Sequence, residues 1–151
     1  MHKRMLVAVD GSRTSEAALG EALDLAGRGV QLRVVHVVDS PYNYPDALYG
    51  QVTGDMEPVR REWREAGEEI LARAAASARA RRVAADSTPR ESDGRRVGAA
   101  VVEAAQRWGA DLIVVGTHGR RGLNRLLLGS VAEGLARTAP VSGLLVRGET
   151  R

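Results

Sequence analysis

The sequence predicts an α/β fold in which a parallel sheet carries helices on both faces. Short apolar runs of strand length alternate with stretches of helical periodicity along the chain. Such an alternation requires right-handed crossovers, which place helices on either side of the sheet. The 151 residues suffice for one core, so residues 1–151 are interpreted as a single domain.

Composition excludes several classes of site. The chain has no cysteine and three dispersed histidines, which excludes disulfides and cysteine-based zinc sites and predicts no metal site built by the protein. All apolar runs are far shorter than the ~20 residues of a membrane span, and the start Met1-His2-Lys3-Arg4 leads directly into a strand. We therefore expect a cytoplasmic protein with no membrane contact.

The basic balance does not predict a nucleic-acid partner. The sequence pI is about 9.9, but the formal net charge is only +3. Arginines crowd between Arg79 and Arg96, yet no aromatic residue interleaves them. This pattern favours a solvated helix end and loop over a nucleic-acid surface.

The first half of the chain predicts two strands and two helices. Residues 5–9 and 30–38 have the apolar, β-branched character of buried strands. Ser12 is placed to cap a helix that runs to the glycines at 27 and 29. A long helix over about 57–82 is expected to cover the sheet with a face composed of Val59, Trp63, Ala66, Ile70 and Ala74.

The second half continues the alternation with one weak element. Residues 83–93 are polar and contain Pro89, so any strand there is predicted to be a short or irregular edge strand. A helix follows from Val97 to the stop at Gly109, and 111–116 has the most buried composition of all the strands. A helix over 129–138 and a strand over 144–146 complete the pattern.

A segment without periodicity, residues 41–56, contains all three tyrosines, Tyr42, Tyr44 and Tyr49. Loops of this length are uncommon in compact domains unless they are functional. Stacking over a ligand, a dimer contact and plain exposure remain open for this loop.

The strongest functional signal is a glycine pattern that directly follows the strand at 112–115. Gly116-Thr117-His118-Gly119 is followed after nine residues by Gly129-Ser130, at the start of a new helix. Glycines let backbone N–H groups approach an anion, and a helix N-terminus favours negative charge. Ligands of parallel sheets bind at the carboxyl ends of strands, where the loops after Val9 and Val115 also lie. A nucleotide-binding domain is therefore predicted.

The chain resembles the universal stress protein family of the ATP-binding type. The resemblance is carried by 7–12, by Val35-His36-Val37, and by the spacing Gly, two residues, Gly, nine residues, Gly-Ser over 116–130. It implies a single-domain Rossmann-like fold, related to the adenine nucleotide alpha hydrolases, with strand order 3-2-1-4-5. It also implies a regulatory module that binds ATP, with Mg²⁺ on the phosphates, and a homodimer formed through the last strand.

The resemblance also assigns residues to the nucleotide. Asp10 with Ala8 beside it would contact the nucleoside, and the Val37 backbone would read the adenine edge. Val115 and Gly116 would line the ribose and α-phosphate. The phosphates would be held by Gly119, Gly129, Ser130 and Val131, with possible further contacts from His118, Arg120, Arg121 and Arg125.

Structural alternatives stay open for several of these residues. Asp10 is equally explained as an Asx turn, and Ser130 as a helix cap. His118 could hold the loop instead of a phosphate, and the three loop arginines could face water. His36 is interpreted as a satisfied core histidine, and Trp63 and Trp108 as packing residues.

Three positions depart from the family pattern. Ser87-Thr88-Pro89 replaces the usual Gly-x-Pro turn, Ala8 replaces a proline, and Ser142-Gly143 replaces Pro-Val before the last strand. The last change weakens the expectation of a dimer.

Three functions remain in competition. The favoured one is an ATP-binding regulator with at most slow hydrolysis, because the sequence shows no general base or paired carboxylates near the loop. A cyclic AMP-binding or nucleotide-free dimeric scaffold of the same family is the second. An adenylating enzyme is the third, and it is disfavoured because 10–15 lacks the paired glycines of such enzymes; a Walker A loop is also absent.

Overall fold

The computed structural model describes residues 1–27, 29–41, 54–118 and 128–148, and in these ranges strands and helices alternate as predicted. All strands lie in one parallel sheet in the order β3-β2-β1-β4-β5, which confirms the predicted fold class and strand order. The elements are β1 (Arg4–Ala8), α1 (Arg13–Leu25), β2 (Gln31–Val38), α2 (Glu57–Ala80), β3 (Ala85–Glu91), α3 (Val97–Trp108), β4 (Leu112–Gly116), α4 (Ser130–Thr138) and β5 (Ser142–Val146).

The sheet separates two apolar layers. Alternate residues of β1 point to opposite faces, so Met5 and Val7 pack with α1 and α2 while Leu6 packs with α3 and α4. Burial on both faces explains why the central strands β1 and β4 are almost wholly apolar. The strands end at the carboxyl edge of the sheet, where loops connect them to the helices that follow.

The third strand is longer and more regular than its sequence indicates. β3 pairs with β2 along seven residues, from Leu32 opposite Ala85 to Val38 opposite Glu91, and Pro89 lies opposite His36 within the ladder. The prediction of an edge strand is confirmed, whereas the prediction of a short, irregular one is wrong. An edge strand has only one neighbour, so every second N–H faces no strand and a proline is accommodated.

The face predicted for α2 is only partly correct. Ile70 and Ala74 are buried, but Val59, Trp63 and Ala66 are only half-buried. The helix has 24 residues and is therefore ~36 Å long, which exceeds the length of the strands that it covers. Because α2 runs antiparallel to β2, its first turns extend beyond the carboxyl edge. There Arg60 and Arg64 form ion pairs with Glu91 at the end of β3.

Neither a membrane-spanning helix nor a metal-binding cluster is found among the described residues. No helix in the described ranges is both long enough and apolar enough to cross a bilayer. The same residues contain no cluster of three acidic or histidine side chains that could hold a metal ion.

Candidate functional site

The turn after β1 is built by Asp10, Gly11 and Ser12. A carboxylate oxygen of Asp10 accepts the Ser12 N–H at 2.8 Å, which is the Asx turn considered from the sequence. Gly11 has a φ of +80°, which favours glycine. Ser12 then caps α1 by accepting the Ser15 N–H at 3.3 Å, as predicted. The turn thus places the half-buried Asp10 carboxylate at the carboxyl edge.

The ladder between β1 and β2 ends beside Val37. Its last rung takes the Val9 N–H to the Val35 carbonyl at 2.9 Å. By the alternation of a parallel ladder, the next rung would take the Val37 N–H to the Val9 carbonyl. That carbonyl instead accepts from Nδ1 of His36 at 2.8 Å, and no rung from Val37 to β1 is found in the described residues. The main chain of Val37 therefore presents a donor and an acceptor toward the end of β1.

The turn after β4 is held by three other elements. The Thr117 N–H donates to the Val146 carbonyl at 2.8 Å, and the Thr117 carbonyl accepts the Gly129 N–H at 2.6 Å. The Thr14 hydroxyl, from the first turn of α1, donates to the His118 carbonyl. β5, α4 and α1 thereby fix where the glycine-rich segment begins.

Gly116 has a packing role that the sequence does not reveal. A Cβ atom at this position would lie 2.8 Å from both the carbonyl carbon and Oγ1 of Thr14. Only glycine permits so close an approach of α1 to the end of β4. Thr14 itself was missed by sequence reasoning, because a contact over about a hundred residues leaves no local pattern.

The N-terminus of α4 begins at a glycine. Gly129 occupies the N-cap position, Ser130 is the first helical residue, and no side-chain capping bond is found at this end within the part of the chain that the structure describes. The alternative in which Ser130 is the helix cap is therefore wrong. Its side chain is exposed, while Val131 is half-buried against the α3–α4 core layer. Since glycine has no side chain that could cap them, the first amides of the helix and the helix dipole make this end favourable for an anion.

His118 has one satisfied and one unsatisfied ring nitrogen. Nδ1 lies 2.9 Å from the hydroxyl of Thr117, whereas the buried Nε2 has no hydrogen-bond partner in the part of the chain that the structure describes. A buried polar atom without a hydrogen-bond partner costs free energy, and a phosphate oxygen would satisfy this nitrogen. The role of His118 as a phosphate contact stays a prediction. Gly119, Arg120, Arg121, Arg125 and the tyrosines at 42, 44 and 49 lie outside the described residues.

The remaining predicted residues divide between core and edge. Val115 is 2% exposed and packs in the α3–α4 core layer, so only its main chain is available to a ligand. Ala8 is half-buried beside the same layer. His36 is buried, as predicted, and Trp108 packs with the guanidinium of Arg33 at 4.7 Å from its ring centre.

A cavity that the sequence did not predict lies at the end of β2. It has a volume of about 250 Å³. The Asp39 carboxylate on its wall accepts the Ser40 N–H at 2.8 Å and the hydroxyl of the fully buried Ser92 at 3.4 Å. Its lining comprises Val38, Asp39, Ser40, Arg60, Glu91, Ser92, Asp93 and Gly94.

The fold and this edge define a class of protein: a parallel α/β domain whose candidate ligand groups collect at the carboxyl ends of β2, β1 and β4. Residues 1–147 match the model of the universal stress protein family, and the chain belongs to that family. This confirms the resemblance that the glycine pattern indicated.

Relatives and solved structures agree with the assignment. A protein named as a universal stress protein from Staphylococcus haemolyticus is 31% identical over 150 residues, which cover 98% of this chain and 86% of the relative. The crystal structure of a family member from Burkholderia pseudomallei has 33% identity and a TM-score of 0.76, with 95% of each chain covered. A universal stress protein crystallised in complex with cAMP has 25% identity and a TM-score of 0.67, with 98% of each chain covered.

Proposed function

We propose that this chain is a stress-response module that binds an adenine nucleotide, ATP in the first place, across the carboxyl ends of β2, β1 and β4. The observation that carries the proposal is that the glycine-capped start of α4 lies on the same edge as the main chain of Val37, for which no hydrogen bond to the end of β1 is found in the described residues. The main chain of Val37 suits a base, and the start of α4 suits a phosphate.

The strand order supports the way in which a nucleotide would lie. β1 separates β2 from β4, and neighbouring strands are about 4.8 Å apart, so the two ends are separated by ~10 Å. This span suits a nucleoside whose base contacts Val37 and whose phosphates reach the loop after β4. Asp10 and Ala8, at the end of the intervening strand, would then face the nucleoside.

The phosphate end of the proposal rests on α4. Gly129 and Ser130 offer the first amides of the helix and an exposed hydroxyl, to which the resemblance adds Gly119, Val131 and the loop arginines. Mg²⁺ would bind to the phosphates of the ligand, since the described residues provide no cluster for it. With no paired carboxylates assigned near the phosphates, we expect hydrolysis to be slow and the module to act through its bound state in the cytoplasm.

Ser130→Ala tests the phosphate contact. Loss of a hydrogen bond to a charged phosphate is expected to weaken ATP binding by about 10-fold or more, because such bonds contribute ~1.5–3 kcal/mol. Isothermal titration calorimetry with Mg·ATP measures the change. Ser77→Ala, which removes an exposed hydroxyl from α2, is the matched control and should leave the affinity unchanged.

The same titration separates the competing functions. ATP, AMP and cAMP are compared on the unmodified protein; tightest binding of cAMP would favour the second family function, for which the cAMP-bound relative gives a precedent. An absence of saturable binding of all three nucleotides would overturn the proposal. Release of pyrophosphate from ATP in the presence of carboxylic acids would instead support an adenylating enzyme.

A homodimer through β5 is part of the proposal. β5 pairs only with β4 among the described strands, and Leu145 on it is 37% exposed. Sedimentation of the protein is expected to give twice the chain mass of 16.1 kDa, and Leu145→Lys to give the monomer. Leu25→Lys, at an exposed leucine of α1, should leave the dimer intact. A monomeric unmodified protein would contradict this part of the proposal.

A further inference from the structure

We propose that His36 is a positioning residue that ends the β1–β2 ladder one rung early and thereby keeps the Val37 peptide edge open for an adenine base. The inference rests on the proposed function and extends it, since it assigns base selectivity to a buried side chain that touches no ligand.

The direction of the bond between His36 and the Val9 carbonyl explains how the ladder ends. A carbonyl only accepts, so Nδ1 of His36 carries the proton and donates to Val9 at 2.8 Å. The side chain of His36 stands on the α1–α2 face, because its neighbours in the strand, Val35 and Val37, pack on the opposite face. The donor therefore approaches the Val9 carbonyl from outside the plane of the sheet. Within the described residues this carbonyl accepts from the imidazole and takes no hydrogen bond from the Val37 N–H.

The ring is held in this position by packing. His36 is 7% exposed, and α2 passes so close to it that a Cβ atom at Gly67 would lie 2.6 Å from Cδ2 and 3.0 Å from Nε2. The ring cannot swing toward α2, and its donor is fixed on Val9. Three elements thus meet at one imidazole: the end of β1, the end of β2 and the middle of α2.

The open edge of Val37 distinguishes one purine from another. Its N–H donates and its C=O accepts on the same side of the strand, next to each other. Adenine offers a ring nitrogen that accepts beside an amino group that donates, which complements this pair. Hypoxanthine carries the opposite pattern at those positions, a ring N–H beside a carbonyl, and would place donor against donor.

Hydrogen exchange on the protein without ligand tests the structural half of the inference. The Val37 amide is expected to exchange at least ~10-fold faster than the Val35 amide, which lies inside the ladder. In His36→Leu, which cannot donate, the Val9 carbonyl is released to the ladder, and the Val37 amide should become as protected as Val35. Equal protection of the two amides in the unmodified protein would overturn the inference, whether or not any nucleotide binds.

Binding of AMP and IMP tests the functional half, because the two ligands differ only in the base. The unmodified protein is expected to favour AMP by about 10-fold or more, as for a paired donor–acceptor contact. His36→Leu should reduce this ratio toward one, while the affinity for tripolyphosphate stays unchanged. His36→Asn, whose amide nitrogen can replace Nδ1, should restore most of the ratio.

The outcomes separate the two proposals. If neither AMP nor tripolyphosphate binds the unmodified protein, the proposed function fails. If AMP binds and His36→Leu keeps the full preference over IMP, only the role of His36 fails. Circular dichroism checks that each variant is folded, and the exchange experiment on the unmodified protein does not depend on any variant.

Discussion

Gly67→Ala is expected to destabilise the fold although it replaces glycine inside a helix. Alanine normally stabilises a helix interior by ~1 kcal/mol relative to glycine. At Gly67 the added methyl group would lie 2.6 Å from Cδ2 of His36, and overpacking of this kind costs about 1–3 kcal/mol or more. The imidazole cannot yield cheaply, because it is buried and bonded to the Val9 carbonyl. The steric cost therefore exceeds the gain in helix propensity.

Gly20→Ala is the matched control for this prediction. Gly20 also lies inside a helix, but the nearest atom to an added Cβ is the end of the Arg81 side chain at 3.8 Å. This variant should gain the full helix propensity. We expect the two variants to differ by about 2–4 kcal/mol in the free energy of unfolding, which corresponds to roughly 5–15 °C in Tm.

Chemical and thermal denaturation measure this difference. The smaller side chain of His36→Asn should reduce the penalty of Gly67→Ala, since residues in contact are not additive. Equal stability of the Gly67 and Gly20 variants would show that α2 moves away from the sheet without cost, and it would remove the packing support for a fixed imidazole.

The elements that the sequence predicted correctly have locally complete signals. β4 is apolar because it is buried on both faces, and Gly109 ends α3 in the left-handed conformation that its position after the stripe indicated. The N-cap at Ser12 needs only the residues that follow it. In each case the residues that determine the structure lie within a few positions of each other, so the local sequence pattern is enough to predict it.

The elements that were predicted wrongly depend on distant partners. β3 is a regular strand because β2 provides a full ladder for it, and its own polar composition reflects only its place at the edge. The first turns of α2 have an apolar face, but that face is only half-buried because the helix extends beyond the end of the sheet. The length of a neighbouring strand or helix cannot be read from the local sequence pattern.

Contacts between distant segments also shape the candidate site. Its glycines were predicted from their spacing, but Gly116 is in close contact with Thr14, and the main chain next to Val37 is shaped by a side-chain bond from His36 to the end of β1. Both causes bring together segments that are distant in the sequence. The motif therefore predicted which loop belongs to the candidate site, while the packing around that loop needed the three-dimensional arrangement.

Gly116→Ala is expected to cost both stability and nucleotide affinity. Its Cβ would lie 2.8 Å from the carbonyl carbon of Thr14 and 2.9 Å from the Thr14 Cβ. These atoms belong to the capped first turn of α1, whose Thr14 hydroxyl also holds the His118 carbonyl. Relief of the clash must move α1 or the turn after β4. We expect a loss of about 3 kcal/mol in the free energy of unfolding and, in the folded fraction, at least ~10-fold weaker binding of Mg·ATP.

A comparison with Gly148 shows why this clash resists repair. An added Cβ at Gly148 would meet the methyl carbon of Thr14 at 2.8 Å, whereas the next nearest atoms, Cα and Cβ of Thr14, lie at 3.8 Å. Thr14→Ser removes that methyl group, so it should rescue Gly148→Ala but not Gly116→Ala, whose contacts are with atoms that serine retains. Gly134→Ala, with its nearest contact at 3.8 Å, should be neutral or stabilising. Rescue of Gly116→Ala by Thr14→Ser would mean that the backbone of α1 adjusts freely, and that the turn after β4 does not depend on its position.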